Sequence, residues 1–306
     1  MSVSLPMTPG RRVILVIGVP IALAVIVAGA AGWASGAVTI FTRQVSRPVA
    51  LSVPVKGGHV SVTADNADVT FRTSTSTGDR IRVRGTLSES LVRPTFSWRS
   101  TAAGLALHAE CRVPAGFCSL QYAITAPAGL PVAVTGSSGN MNASDMRGTV
   151  TLSDGSGDLG VSGLAGDIRL DDGSGNITAS GITASGLNGG IQLDNSSGDI
   201  TASGLTGDLH FQEDSGNIVV NGLAGTDVVG GNLSGDITLT FTEVPELVHV
   251  TDSSGNITLV LPPGATAYDV NASTSSGNKA IAVPTSSSSK HRITVTNHSG
   301  DITVTR

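Results

Sequence analysis

The C-terminal half of the chain alternates apolar and polar residues in short segments that glycine separates. After every Ser-Gly-Asp or Ser-Gly-Asn tripeptide except the one at Gly277, the second and fourth residues after the Gly are apolar, as at Ile200 and Ala202. Half-units between the tripeptides repeat the pattern, as at Ile191 and Leu193. Alternation with a period of two over four or five residues predicts a short β-strand with one buried face. Each repeat therefore contains two predicted strands.

The glycines of the tripeptide define a repeat of about 18 residues. Their spacings are 18, 18, 23, 18, 19, 20, 22 and 23 residues, and they are Gly139, Gly157, Gly175, Gly198, Gly216, Gly235, Gly255, Gly277 and Gly300. The first 23-residue step contains a duplication, TASGI at 178–182 followed by TASGL at 183–187. A Leu between the two strands, at 164, 187, 205 and 223, is expected to point inward at a corner. The pattern predicts an all-β, single-sheet-layer β-solenoid, parallel β-helix-like, with about 18 residues per coil.

The N-terminal part contains one long apolar segment. Val13–Ala34 has 22 residues without a charge, enough for a helix to cross a bilayer core about 30 Å thick. Arg11 and Arg12 precede it, so the positive-inside rule places residues 1–12 in the cytoplasm and the C-terminal domain outside the cell membrane. The alternative is a cleaved signal peptide and secretion, because small residues follow the apolar run. The predicted organisation continues with a linker (35–48), an irregular β capping region (49–135) and regular repeats (136–306).

Charge is distributed unevenly along the chain. The formal net charge is −5, but residues 1–135 carry +7, residues 136–278 carry −15 and residues 279–306 carry +3. A net negative charge argues against a nucleic-acid binder. The acidic region could hold cations loosely.

The residue after each tripeptide glycine is Asp or Asn. In a solenoid these side chains would stack one coil apart, where neighbouring full charges repel by roughly 1 kcal/mol in water. Near-perfect alternation of Asp with Asn avoids that repulsion and lets Asn amides donate to carboxylates. The predicted turn ladder contains Asp158, Asn176, Asp199, Asn217, Asp236, Asn256, Asn278 and Asp301. A second polar line, three residues before Gly (Asp154, Asp172, Asn195, Glu213, Asn232 and Asp252), is expected to cap the same turns.

Two cysteines, Cys111 and Cys118, flank a Pro- and Gly-containing segment between strand-like stretches. We interpret the stretches as a hairpin whose facing cysteines form a disulfide outside the cytoplasm. Free buried thiols or a redox pair are the alternatives, although the spacing is not that of a C-x-x-C motif.

No catalytic or metal site emerges from the residue pattern. Glycan-cleaving enzymes need clustered carboxylates with a basic residue, and between 136 and 278 Arg147 and Arg169 are the only arginines and no lysine occurs. We interpret both as solvent-facing. The six His are scattered without metal-ligand spacing, and the Gly-Gly-x-Gly-x-Asp spacing of calcium-binding nonapeptide rolls does not recur. We therefore expect no enzymatic activity, cofactor or intrinsic metal.

The repeats SGDLGVSGLAGDIRL, SGDITASGLTGDLHF and SGNIVVNGLAG resemble the bacterial "putative-adhesin" family with β-strand repeats, over roughly residues 50–304. The resemblance implies a β-solenoid on the cell envelope, behind a single transmembrane segment, and implies no catalytic residues. The predicted function is a membrane-anchored binding or scaffolding surface for an envelope protein or glycan. The alternatives are an envelope-stress sensing or regulatory module, a polymer-forming solenoid and a polysaccharide-acting β-helix enzyme.

Overall fold

A computed structural model provides the structure of this chain. The described residues are 45–54, 58–74, 78–89, 95–101, 104–110, 118–184 and 190–306. Within them the chain is entirely β, and no described segment forms a helix that could span a membrane. The predicted transmembrane segment Val13–Ala34 lies outside the described residues.

The described residues form twenty-five strands. In chain order they are β1 (Val45–Pro54), β2 (His59–Ala64), β3 (Ala67–Thr73), β4 (Arg80–Glu89), β5 (Thr95–Thr101), β6 (Gly104–Glu110), β7 (Cys118–Ala126), β8 (Val132–Gly136), β9 (Met141–Ser144), β10 (Val150–Asp154), β11 (Leu159–Ser162), β12 (Ile168–Asp172), β13 (Ile177–Thr183), β14 (Ile191–Asn195), β15 (Ile200–Thr206), β16 (Leu209–Glu213), β17 (Ile218–Leu223), β18 (Asp227–Asn232), β19 (Ile237–Phe241), β20 (Leu247–Ser254), β21 (Ile257–Val260), β22 (Asp269–Ser276), β23 (Lys279–Ile281), β24 (Arg292–Ser299) and β25 (Ile302–Thr305).

These strands form two sheets instead of the single layer that the repeat pattern predicted. Sheet A has the order β1-β4-β7-β3-β9-β11-β13-β15-β17-β19-β21-β25-β23, and sheet B has the order β22-β24-β20-β18-β16-β14-β12-β10-β8-β2-β6-β5. Each coil contributes one strand to each sheet, because the glycine corner turns the chain from one sheet into the other. The solenoid is thus a flattened coil with an aliphatic core between two mostly parallel sheets.

The core consists of identical positions stacked from coil to coil. In sheet A, Ile177 pairs with Ile200 and Ile200 with Ile218; in sheet B, Ile168 pairs with Ile191. All of these side chains are buried. Stacking like residues at each level lets the branched side chains pack in the same rotamer along the solenoid.

The corner glycines are required by both conformation and space. Gly198 and Gly216 have φ of +128° and +155°, values that residues with a Cβ rarely adopt. A Cβ on Gly216 would also lie 1.6 Å from the carbonyl oxygen of Gly198 in the coil before. Glycine therefore recurs at these positions because the corners of successive coils stack closely, as well as because each corner turns sharply.

Antiparallel strands close the N-terminal end. β1 pairs with β4, β4 with β7, and β5 with β6, all antiparallel. The predicted hairpin around the cysteines is wrong, because β6 belongs to sheet B and β7 to sheet A. Cys111 and the side chain of Cys118 lie outside the described residues, so the disulfide stays a prediction.

The C-terminal end departs from sequence order. β24 lies between β20 and β22, and β25 lies between β21 and β23. The last two strands are therefore inserted beneath the coil that precedes them, and β22 and β23 form the outermost coil.

The five-residue duplication changes one corner. Ile182, from the first copy, pairs with Leu205 and is buried at the corner, where Leu187 was predicted. Leu187 itself lies outside the described residues. The first copy stays in register with its neighbours, so the insertion falls after Thr183.

Candidate binding surface

A line of Asp and Asn side chains runs along the corner at which the chain enters sheet A. Each side chain except that of Asn278, which ends the line, accepts a hydrogen bond from a backbone N–H in the neighbouring coil. The Oδ1 of Asp199 accepts from the backbone N–H of Asn217 at 2.8 Å and from Nδ2 of Asn217 at 3.3 Å. The Oδ1 of Asn217 in turn accepts from the backbone N–H of Asp236 at 3.0 Å. Each coil thus offers a polar acceptor to the corner of the next.

The insertion of the last coil completes the alternation. The backbone N–H of Asp301 donates to Oδ1 of Asn256, and that of Asn278 donates to Oδ1 of Asp301. Asp301 therefore separates two Asn residues that are consecutive in the repeat. At the other end, the line continues to residues that the sequence pattern missed. Its spatial order is Asp68, Asn140, Asp158, Asn176, Asp199, Asn217, Asp236, Asn256, Asp301 and Asn278.

This strict alternation sets the charge density of the corner. Strand spacing is about 4.8 Å, so the carboxylates of the ladder stand about 10 Å apart with an amide between them. Doubling the separation halves the Coulomb repulsion, and salt screens it further. The ladder is an exposed polar strip along one border of sheet A.

A second polar line lies inside the same corner and is buried. Its members are Asp154, Asp172, Asn195, Glu213, Asn232, Asp252 and Asn297. The Oδ1 of Asn232 accepts from the backbone N–H of Ser234 at 3.1 Å, while its Nδ2 donates to the carbonyl of Gly216 at 2.8 Å. Asn195 and Asn297 repeat this pair of bonds. These side chains cap the turns, as the sequence predicted.

The acidic members of the buried line have no amide N–H with which to donate a hydrogen bond. The Oδ2 of Asp172 and the Oε2 of Glu213 are buried without a hydrogen-bond partner in the described part of the chain. Burial raises the pKa of Asp172 to about 6 and that of Glu213 to about 7, although backbone N–H groups that bond the other oxygen lower it. A protonated carboxyl can donate a hydrogen bond from the position that the Nδ2 amide occupies in the Asn members of the line. The neutral form of Asp172 and Glu213 therefore fits this corner.

The outer face of sheet A beside the ladder is flat and rich in hydroxyls. Outward positions in successive strands carry Thr178, Thr201, Val219, Thr238, Thr258 and Thr303. Between Asn142 and Thr178 the same row has Gly160, so a side chain is absent there.

A groove of about 600 Å³ occupies this gap. Arg72 lies at one end, and Asp158 and Asn176 of the ladder lie at its border. Among the described residues Arg72 makes no ion pair, and its side chain is exposed. The groove therefore presents a cation, a carboxylate, amides and hydroxyls within one shallow depression.

The glycine at position 160 is explained by the limited space for a Cβ atom and not by its backbone φ angle. A Cβ on Gly160 would lie 2.4 Å from Oδ1 of Asn142, the end of a flexible side chain. The gap is visible in the sequence, because residues 159–162 are LGVS, whereas the equivalent residues of other coils are ITAS or ITLT. Arg72 could not be assigned from sequence, because the parallel pairing of β3 with β9 joins residues about 70 positions apart.

The two arginines of the regular repeats occupy different environments. Arg147 is exposed. Arg169 is less isolated than predicted, because its guanidinium lies 3.2 Å from Asp194 and 3.7 Å from Asp171 on the outer face of sheet B. The pair with Asp194 joins neighbouring coils, whereas Asp171 lies in the same strand as Arg169. Within the described ranges, no three His, Cys, Asp or Glu side chains are placed to hold a metal ion.

Together, the stacked coils, the amide–carboxylate ladder and the polar outer face define a two-sheet β-solenoid built from repeats. The Toastrack DUF4097 family matches residues 58–305, and the chain belongs to this family. This membership agrees with the adhesin-like family that the repeats resemble.

Two solved structures are similar to this chain at low identity. One is described as a putative cell adhesion protein from Clostridium sporogenes; it is 12% identical, covers 85% of this chain and 99% of its own, and has a TM-score of 0.27. The other, a putative adhesin from Bacteroides fragilis, is 12% identical, covers 84% and 97%, and has a TM-score of 0.38. A comparison with curated proteins found no significant match.

Proposed function

We propose that the protein is a non-catalytic binding protein of the bacterial envelope, held in the cell membrane by Val13–Ala34 with its solenoid outside. The length of the apolar segment and the basic residues before it support the anchor. The outer face of sheet A supports a binding role, because its row of Thr side chains and the adjoining ladder offer many hydrogen-bond donors and acceptors.

The groove at Gly160 is the observation that carries this proposal. Its lining of Arg72, Asp158, Asn176 and Thr178 supplies both donors and acceptors at close range. A glycan presents hydroxyls that accept and donate in the same way, and a carboxylated sugar would also pair with the guanidinium of Arg72. We therefore propose an envelope glycan as the ligand class, with an envelope protein as the second candidate.

Two variants test the groove in the full-length protein. Gly160→Thr fills the gap, and Arg72→Ala removes the cation; each is expected to weaken binding to solubilised envelope glycans about tenfold or more. Arg169→Ala, on the opposite sheet, is the matched control and should bind as the wild type does. Isothermal titration against fractionated glycans measures the effect. Equal binding by all four proteins, or turnover of the glycan, would contradict the proposal.

Location has its own test. Protease added to intact cells should cleave the chain after residue 45, because the proposed topology exposes the solenoid outside the membrane. Protection until lysis would overturn the topology, whatever the groove binds.

A further inference from the structure

The N-terminal end of the solenoid differs from the rest in both charge and apolar exposure. This tip consists of β1 and β4 in sheet A and β5 in sheet B, which are the outermost strands at that end. The three strands contain five arginines, Arg47, Arg80, Arg82, Arg84 and Arg99, against one carboxylate, Glu89. By contrast, strands β10 to β21 contain one arginine, Arg169, against seven carboxylates. The tip is the basic end of an acidic molecule.

Three of these arginines are free to meet a ligand. Arg82 and Arg84 alternate along β4 and are exposed on the outer face of sheet A, while Arg99 is exposed on β5. No ion pair or hydrogen bond engages their side chains within the described residues. Arg82 and Arg84 flank a small cleft of about 140 Å³ whose floor includes Ala123 and Thr125 of β7. Small residues in the neighbouring strand leave both guanidinium groups accessible.

The same tip exposes two of the four large apolar side chains found exposed in the described residues. Trp98 in β5 is 50% exposed and Val45 in β1 is 39% exposed. Trp98 lies on the core-facing side of β5, like Phe96, whose ring packs edge-on against Tyr122 with centroids 6.3 Å apart. Among the described strands, none lies beyond β5 to cover Trp98. A tip that exposes both an indole and arginines has the combination that favours a membrane interface, where aromatic rings lie at headgroup depth and guanidinium groups reach phosphates.

We propose that this tip docks on the anionic phospholipid headgroups of the bilayer that anchors the chain. The tether supports the choice of partner, because only ten residues lie between Ala34 and Val45, which limits the tip to about 40 Å from the predicted membrane border. Arg82, Arg84 and Arg99 pair with lipid phosphates, and Trp98 enters the interface. The solenoid then stands on the membrane by its basic end, with the acidic repeats extending away from the bilayer. This inference rests on the anchor of the proposed function, but not on the ligand of the groove.

Quenching of Trp98 tests the docking. The chain contains two Trp, so a Trp33→Phe background leaves Trp98 as the sole emitter in the full-length protein. The protein is reconstituted in phosphatidylcholine vesicles with brominated acyl chains, with or without phosphatidylglycerol. We expect strong quenching only with phosphatidylglycerol and a loss of quenching at high salt. Arg82→Glu with Arg84→Glu should weaken the docking equilibrium by at least fivefold for each arginine lost.

Arg147→Glu is the matched control, since Arg147 is exposed but lies in the regular repeats; it should be quenched as the parent is. Quenching that is equal in neutral vesicles, or unchanged by the β4 variants, overturns the proposal. Protection of Trp98 by a dissolved acidic polysaccharide, with no quenching in vesicles, also overturns it and assigns the arginines to a glycan. Carbonate extraction of the same vesicles reports anchoring separately, so a failed anchor and a failed docking are distinguishable.

Discussion

At the scale of single residues, the ladder shows how one repeated position can be both polar and densely stacked. Inside the ladder each Asn stands between two Asp residues, and Asn176, Asn217 and Asn256 each donate the side-chain amide to one of them. The arrangement satisfies backbone N–H groups at every corner and keeps like charges two coils apart. A solenoid that stacked Asp in every coil would accumulate repulsion in proportion to its length.

Asn217→Asp is expected to destabilise the fold. It would place three carboxylates in a row at about 4.8 Å and remove one amide donor, for a loss of about 1–3 kcal/mol in the free energy of unfolding. Denaturant unfolding at neutral pH measures the change, and added salt should recover part of it. Asn221→Asp adds the same charge at an exposed position outside the ladder and should cost less than about 0.5 kcal/mol. A loss that salt does not alter would contradict the repulsion argument.

The buried acids of the inner corner predict that stability falls as pH rises. Burial raises the pKa of Asp172 to about 6 and that of Glu213 to about 7, above the ordinary values of 3.8 and 4.5. Below about pH 4 both carboxyl groups are protonated in the folded and the unfolded state, so their titration does not lower the free energy of unfolding. Above that, the unfolded chain releases its protons more readily, so the folded state loses stability until the pH passes about 7.

Asp172→Asn and Glu213→Gln should therefore stabilise the protein at pH 8, each by on the order of 1–2 kcal/mol, and have little effect at pH 4. The reason is that an amide can donate where the carboxylate presents a second acceptor. Thermal unfolding from pH 4 to pH 8 measures the effect, and Glu243→Gln, at an exposed loop position, should leave the profile unchanged. A wild-type profile that rises with pH would contradict this account.

At the scale of elements, the sequence predicted strands, corners and their inward residues well because alternation and glycine report local geometry. It did not distinguish one sheet from two, since both arrangements bury the same face of each strand. It also missed the burial of Asp172 and Glu213, because carboxylates in turns are normally exposed. The antiparallel tip escaped prediction because β1 and β4 pair across about 30 residues or more without a repeat to mark the register.

The inserted C-terminal coil gives the element-scale prediction. Removing residues 292–306 should abolish hydrogen-exchange protection in 269–281, because β22 pairs only with β24 and β23 only with β25 among the described strands. Protection in β10–β19 should persist, since each repeat of a solenoid depends mainly on its neighbours. If 269–281 stayed protected, the outer coil would be able to pair directly with β20 and β21, and the insertion would be dispensable.

At the scale of the whole molecule, the uneven charge of the sequence becomes a variation of charge along the long axis of the solenoid. The basic residues of the described N-terminal part gather at the tip, whereas the acidic ladder runs along the repeats, so a positive tip is followed along the long axis by a negative stretch of repeats. The sequence alone gave the charge of each region. It could not place Arg72 beside Gly160, because that contact depends on a long-range parallel pairing.

The inserted coil also defines the step at which folding of the solenoid is complete. A simple solenoid can grow by adding each new repeat to an exposed edge, so its contacts stay local and any coil can be the last. Here β22 and β23 are made before the strands on which they rest, and Asn278 finds its ladder partner only when Asp301 arrives. The outer coil must therefore wait for a segment more than 20 residues downstream. Completion of the solenoid is a single long-range closing step, and it decides when the outermost coil becomes part of the folded molecule.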